Sequence, residues 1–157
     1  LYDGASVLLV PVSASLEALA ALKQMYVSVG AEGVLITDAD THDEMIAYTS
    51  QLAHVISSAY VRTPSADKHY GYSAGSFRDM TRVARMNAAM WTELMTENAD
   101  DLSREIRGMT ARMNEYADAM ERGDKAALFE LLDAGNRAKL SVEKDRNKKL
   151  RSALEGD

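Results

Sequence analysis

Cysteine is absent from the 157 residues, which excludes a disulfide scaffold and any thiolate-held metal. No apolar run approaches the roughly 20 residues a helix needs to cross a bilayer, so no membrane span is expected. Positive charge is in deficit: 18 Lys and Arg face 24 Asp and Glu, a net charge of −6. A general nucleic-acid binder needs a basic face, so nucleic acid is not an expected partner. The chain contains no G-x-G-x-x-G, no P-loop lysine motif and no H-E-x-x-H spacing. Cofactor-binding and metal-binding residues are therefore not expected within it. No signal-peptide pattern opens the chain, and cytoplasmic localisation is the expectation. The sequence begins at Leu1 rather than Met, and a piece of a longer protein is expected.

What is present suits one domain, or one domain and a fragment of another. The chain is 46% hydrophobic, enough for a core, and 27% charged, enough for a solvated surface. Its character changes once. "VLLV" at 7–10, ended by Pro11, reads as a short buried strand. Ser13 or Ser15 can cap a helix carrying Leu16, Leu19, Leu22 and Met25 or Tyr26, which Gly30 ends. "GVLI" at 33–36 reads as a second strand. One βαβ unit results, and two parallel strands cannot bury both faces of a sheet. Residues 1–37 are therefore expected to be the edge of a larger α/β sheet, and 38–157 a helical domain.

After Asp40 everything reads as helix. Thr41 and Glu44 form a T-x-x-E capping box that opens a helix running to about Tyr60. Ser76 and Asp79 repeat the arrangement in "SFRD". A long helix is expected from about Asn98 to Glu121. Its Leu102, Ile106, Met109, Met113, Tyr116 and Met120 form a heptad-like seam suited to a helix pair or a dimer. "RGD" at 122–124 makes a turn, and Asp124 can cap a last helix with Leu128, Leu131, Gly135, Ala138 and Val142 on one stripe. The basic "KDRNKK" that follows reads as a solvated face.

Two polar motifs carry possible chemistry. "GYSAG" at 71–75 matches the nucleophile-elbow pattern, which needs a strand before it and a histidine after it. No strand precedes Ser73, and His42, His54 and His69 all lie upstream, so a hydrolase is rejected. Asp43, Ala47, Ser50 and His54, spaced 4, 3, 4, share one stripe of an α-helix. A polar stripe on a largely apolar helix must meet partners or line a cavity. The plain alternative is a capped helix whose His54 is satisfied by a neighbour.

"HDEMIAYTSQLAHVISSAYV" resembles the H-D-x-x-x-A-x-x-S-H-L-P-H segment of bacterial prephenate dehydrogenases. "AGSFRDMTRVARMNAAMWTELMTEN" resembles their G-G-G-F-R-D-x-T-R-I-A-x-S-D-P-x-M-W segment, the more specific of the two. "LLDAGNRAK" is also similar in kind, and the resemblance covers nearly all of residues 1–150. It implies a mainly α chain: an all-helical substrate-binding and dimerisation domain, similar to the C-terminal domain of 6-phosphogluconate dehydrogenase, behind a βαβ remnant of a Rossmann-type sheet. The implied reaction is oxidative decarboxylation: hydride passes from prephenate to NAD or NADP, CO2 leaves, and 4-hydroxyphenylpyruvate results. The cofactor fingerprint and the general-base histidine are expected in a preceding domain, so the chain alone should be inactive and holds no catalytic residue. The implied partners are a second copy of the chain, prephenate or arogenate, and tyrosine as a feedback inhibitor.

Residue by residue, the resemblance makes Arg82 the arginine that holds a substrate carboxylate; its plain alternative is an ion pair with Asp79 at i, i+3. His54 matches the last histidine of S-H-L-P-H, facing the substrate ring, and Ser50 precedes it on the same block. Trp91 matches a pocket-lining tryptophan, Gly75 a loop glycine near the substrate, and Asp79 an acid at the pocket entrance. His42 and Asp43 match the H-D pair, assigned to helix entry and domain contact. Gln51 and Ala53 depart from the motif's histidine and proline, and "MNA" at 86–88 replaces S-D-P. Arg82 and Trp91, nine residues apart, would lie on opposite sides of one straight helix, so a shared pocket requires an interruption, for which Asn87 is a fair cap. Two other readings stand beside this one: an arogenate or cyclohexadienyl dehydrogenase of the same fold, and a non-catalytic helical dimerisation module.

Overall fold

The structure, a computed structural model, describes residues 4–155, with side chains described as far as residue 144. It comprises two compact units, residues 1–106 and 107–157.

The first unit opens with strands β1 (Ser6–Leu9) and β2 (Gly33–Ile36), paired in parallel with Ser6 opposite Gly33 and Leu9 opposite Ile36. Helix α1 (Leu16–Ser28) crosses between them. Of the two candidate caps, Ser15 is the one used: its hydroxyl accepts the Ala18 N–H at 3.1 Å. At the other end Gly30 takes φ +96°, which only glycine adopts cheaply. The turn it makes sends the Ala31 N–H to the Tyr26 carbonyl and the Gly30 N–H to the Val27 carbonyl, the paired bonds of a Schellman motif. Leu35 and Ile36 on β2 remain exposed.

The helical part begins earlier than the capping-box reading expects. Helix α2 (Ala39–Ile46) is capped by Asp38, whose carboxylate accepts the Thr41 N–H at 2.8 Å and the Thr41 hydroxyl at 2.9 Å. Thr41 is thus the residue being capped. Asp38 wins because its backbone is still extended where the chain leaves β2, and a cap must stand at that transition. Glu44 is left free to reach toward Arg104, 3.9 Å away.

After α2 the helix widens into a π-helical turn over Ala47–Gln51 and continues as α3 (Leu52–Val61). The Leu52 N–H bonds back to the Ala47 carbonyl, one residue further than an α-helix allows. The stripe Asp43–Ala47–Ser50–His54, drawn at α-helical spacing, is therefore broken. One extra residue in the turn displaces everything beyond it by about 100° around the axis.

Helix α4 (Gly75–Thr81) follows a loop and packs on α3 through Tyr60 and Phe77, ring centroids 5.9 Å apart. The Ser76–Asp79 capping box does not form. Ala74 occupies the cap position without a side-chain bond, because the helix starts one residue before Ser76. Helix α5 (Ala88–Glu97) is separate, and Asn87 caps it by accepting the Met90 N–H at 3.2 Å. The interruption that a shared pocket requires is present. Helix α6 (Ala99–Glu121) then begins, and Leu102 on it is buried with Ala47, Leu52, Gln51 and Ser57 in the core of this unit.

The second unit holds the end of α6 and helix α7 (Lys125–Glu155). Gly123, at φ +65°, reverses the chain, and Asp124 accepts the Ala127 N–H at 3.0 Å as expected. The heptad-like seam does not stay on one side here. The Tyr116 hydroxyl donates to the Leu131 carbonyl at 3.1 Å and Ala119 is buried, whereas Met113 and Met120 are exposed. Helix α7 includes the basic stretch, but the side chains of residues 145–149 lie outside the described residues.

Candidate functional site

His54 and Trp91 come together. Their ring centroids are 4.0 Å apart and tilted by 31°, and both side chains are half-buried. His54 sits on α3 just past the π turn, and Trp91 in the first turn of α5. The His54 Nδ1 lies 2.9 Å from the Ser50 carbonyl. A carbonyl can only accept, so Nδ1 carries the proton, and Nε2 of the neutral ring is left as an acceptor. Ser50 itself is half-buried, and it contributes to the pair through its backbone.

The second group of expected residues lies on and just beyond α4. Gly75 opens the helix, and a Cβ there would meet nothing within 4 Å. Asp79 and Arg82 are exposed, and Arg82 stands one residue past the end of α4. Among the described residues Arg82 makes no ion pair: the i, i+3 pairing with Asp79 does not form. No hydrogen bond or ion pair engages its guanidinium among the described residues. The chain brings His54, Trp91 and Ser50 together. It joins Arg82 to none of them by a hydrogen bond.

His42 closes the first turn of α2 and Asp43 follows it, with His42 Nδ1 2.8 Å from the Asp43 carboxylate. The loop before α4 frames a cavity of about 310 Å³ with Tyr60, Thr63, His69, Tyr72, Ser73 and Phe77 on its wall. There His69 stacks on Phe77 at 4.3 Å, and its Nδ1 lies 2.9 Å from the Ser73 hydroxyl. Ser73 sits in an exposed loop and follows no strand among the described residues, so the nucleophile elbow is absent. No group of three or more His, Asp or Glu is placed to hold a metal ion among the described residues.

Sequence reasoning missed an amide pair between buried Gln51 and half-buried Asn98. The Gln51 Nε2 donates to the Leu94 carbonyl at 3.1 Å, and the Asn98 Nδ2 donates to Gln51 Oε1 at 3.1 Å and to the Asp43 carbonyl at 2.8 Å. Gln51 had stood out only as a departure from the histidine of the resembled motif. A partner more than forty residues away leaves no local signal.

Solved dehydrogenases share this fold. The prephenate dehydrogenase of A. aeolicus, solved with hydroxyphenyl propionate and NAD+, aligns with 90% of this chain and 51% of its own at 26% identity and a TM-score of 0.74. The Synechocystis arogenate dehydrogenase aligns with 88% of this chain and 53% of its own at 21% identity and a TM-score of 0.73. In sequence the chain is similar to the cyclohexadienyl dehydrogenase of Zymomonas mobilis, 32% identical over 116 residues, covering 70% of this chain and 40% of that protein. It is 26% identical to the Lactococcus lactis prephenate dehydrogenase over 116 residues, covering 69% of this chain and 32% of that one. The chain thus spans well under two thirds of these relatives. The family described as prephenate dehydrogenase, dimerization domain, matches residues 38–134, and the chain belongs to it.

Proposed function

We propose that this chain is the helical, substrate-binding and dimerising half of a dehydrogenase that oxidatively decarboxylates prephenate to 4-hydroxyphenylpyruvate with NAD(P)+. The family match over 38–134, which includes both the His54 and the Arg82–Trp91 blocks, carries this reading. In it Arg82 takes a substrate carboxylate, and His54 Nε2 accepts a hydrogen bond from the ring-bearing part of the substrate beside Trp91. Gly75, Asp79 and Ser50 border the same pocket. Residues 1–37 form the last βαβ piece of a nucleotide-binding domain, and 38–157 the helical domain.

The residues of this chain do not themselves fit a dinucleotide. The turn from β1 into α1 reads Val10-Pro11-Val12-Ser13-Ala14-Ser15, with no glycine to let a pyrophosphate approach the backbone. This reading assigns NAD(P) and the general base to a preceding domain, and the chain alone should neither hold NAD(P) tightly nor turn over prephenate. Arogenate is the second substrate reading, favoured by the likeness to a cyclohexadienyl dehydrogenase. Tyrosine, the end product, is proposed as an inhibitor of the same pocket, and the cytoplasm as its compartment.

The test is steady-state kinetics on the full-length protein with prephenate and arogenate, each with NAD+ and NADP+, read as reduced-nicotinamide absorbance. His54→Ala should lower kcat/KM, or alter inhibition by tyrosine, more than it lowers the melting temperature. No turnover with either substrate and either cofactor would leave the non-catalytic dimerisation module standing instead.

A further inference from the structure

Gln51 is 5% exposed, and its amide is used at both ends. The carbonyl it reaches, on Leu94, lies in the last turn of α5, where carbonyls have no partner within the helix. Leu94 follows Trp91 by three residues, and Gln51 precedes His54 by three. The Gln51–Leu94 bond and the His54–Trp91 stack are thus two successive rungs between the same antiparallel pair of segments. Asn98 braces the lower rung from behind, donating to Gln51 and to the Asp43 carbonyl of α2. Gln51 is also the last residue of the π turn, the point at which the register of α3 is set. An α-helical turn there would rotate His54 by about 100° relative to α2.

We propose that Gln51 is a positioning residue. Its two amide bonds hold the π turn against α5 and Asn98, and so fix the His54 ring against that of Trp91. The functional meaning rests on the pocket reading given above, and the geometric content can be read without substrate. The chain has one tryptophan and three histidines, so its proton NMR spectrum carries few imidazole C2–H signals. The one from His54 should be displaced upfield by the indole ring, and loss of that signal in His54→Asn assigns it. Gln51→Met keeps the bulk and removes both bonds. It should cost the His54 signal about half or more of its displacement, with a cooperative melt retained. Asn98→Ala should move the same signal in the same direction by less.

The His69 signal, displaced by Phe77, serves as the internal reference and should stay in place. An unchanged His54 signal in folded Gln51→Met overturns the proposal. So do equal movements of His54 and His69, which would mean general loosening. Should Gln51→Met fail to fold, Asn98→Ala decides by the same criterion. A catalytically silent His54→Ala in the full-length protein would sink the pocket reading and leave the role of Gln51 in the fold intact.

Discussion

Arg82 differs from Arg104, Arg112 and Arg137, each of which pairs with a carboxylate on its own helix. Standing just past α4, it has no partner among the described residues, although Asp79 lies three residues away. On the function proposed above, it would supply two charge-assisted bonds to a substrate carboxylate. At roughly 1.5–3 kcal/mol each, their loss amounts to about 3–6 kcal/mol, or two to four decades in kcat/KM for Arg82→Ala. Arg82→Lys keeps the charge without the fork and should recover only part. Arg78 on α4 and Arg85 in the linker after it are the controls, and alanine at either should cost far less. An unaltered kcat/KM in Arg82→Ala would dismiss the carboxylate role.

Asp38 gives a second expectation at this scale. The Thr41 N–H, and then the Thr41 hydroxyl, hold its carboxyl below the ordinary carboxylate value. A depressed folded-state pKa stabilises the fold above the unfolded value and ceases to do so as pH falls through the folded one. The melting-temperature gap between the wild type and Asp38→Ala should be full at neutral pH and narrow in acid. A gap that is constant with pH would show that the charge contributes nothing. The caps Asn87 and Asp124 could be read from sequence, and that of α1 narrowed to Ser13 or Ser15, because each cap bonds a backbone three residues away. The cap of α2 could not: Asp38 and Thr41 are both good cap residues within one turn, and only the position of the backbone bend chooses between them.

At the scale of elements, the two features that bring His54 and Trp91 together had unequal visibility. The break between α4 and α5 could be inferred, since Arg82 and Trp91 cannot share a face of one helix nine residues apart. Asn87 supplied its cap even without the proline of the resembled motif. Asn87→Ala should therefore cost about 1 kcal/mol in urea unfolding, while Asn87→Ser should be nearly neutral. Equal losses would mean the cap is not what holds the start of α5. The π turn left no trace in the spacing, because one inserted residue still leaves polar and apolar side chains in a plausible α-helical order. The βαβ unit was legible for the opposite reason: apolar runs, a serine cap and a glycine stop coincide within 36 residues. The 102–120 seam was half legible. Tyr116 meets Leu131 within the α6–α7 hairpin, but Met113 and Met120 face outward, and spacing alone does not say which neighbour each residue meets.

For the whole molecule, the outward methionines join Phe129 and Leu132 as exposed large apolar residues of the second unit. Such exposure is costly for a monomer in water and suits a second copy of the chain. Sedimentation at micromolar concentration should give a dimer, and Met113→Glu together with Phe129→Glu should shift it toward monomer. A wild-type monomer under those conditions would refute the dimer. The paired strands of the first unit have a practical consequence for the handling of this protein. Among the described residues each of β1 and β2 has a neighbour on one side only, and Leu35 and Ile36 stand open on β2. Rows of unmet N–H and C=O groups beside apolar side chains recruit further strands, so the chain as it stands should precipitate on storage through its first 37 residues. A version beginning at Asp38, which keeps the cap of α2, should stay clear at concentrations where the longer one clouds. Light scattering over days would measure the difference, and equal clouding would place the sticky surface elsewhere.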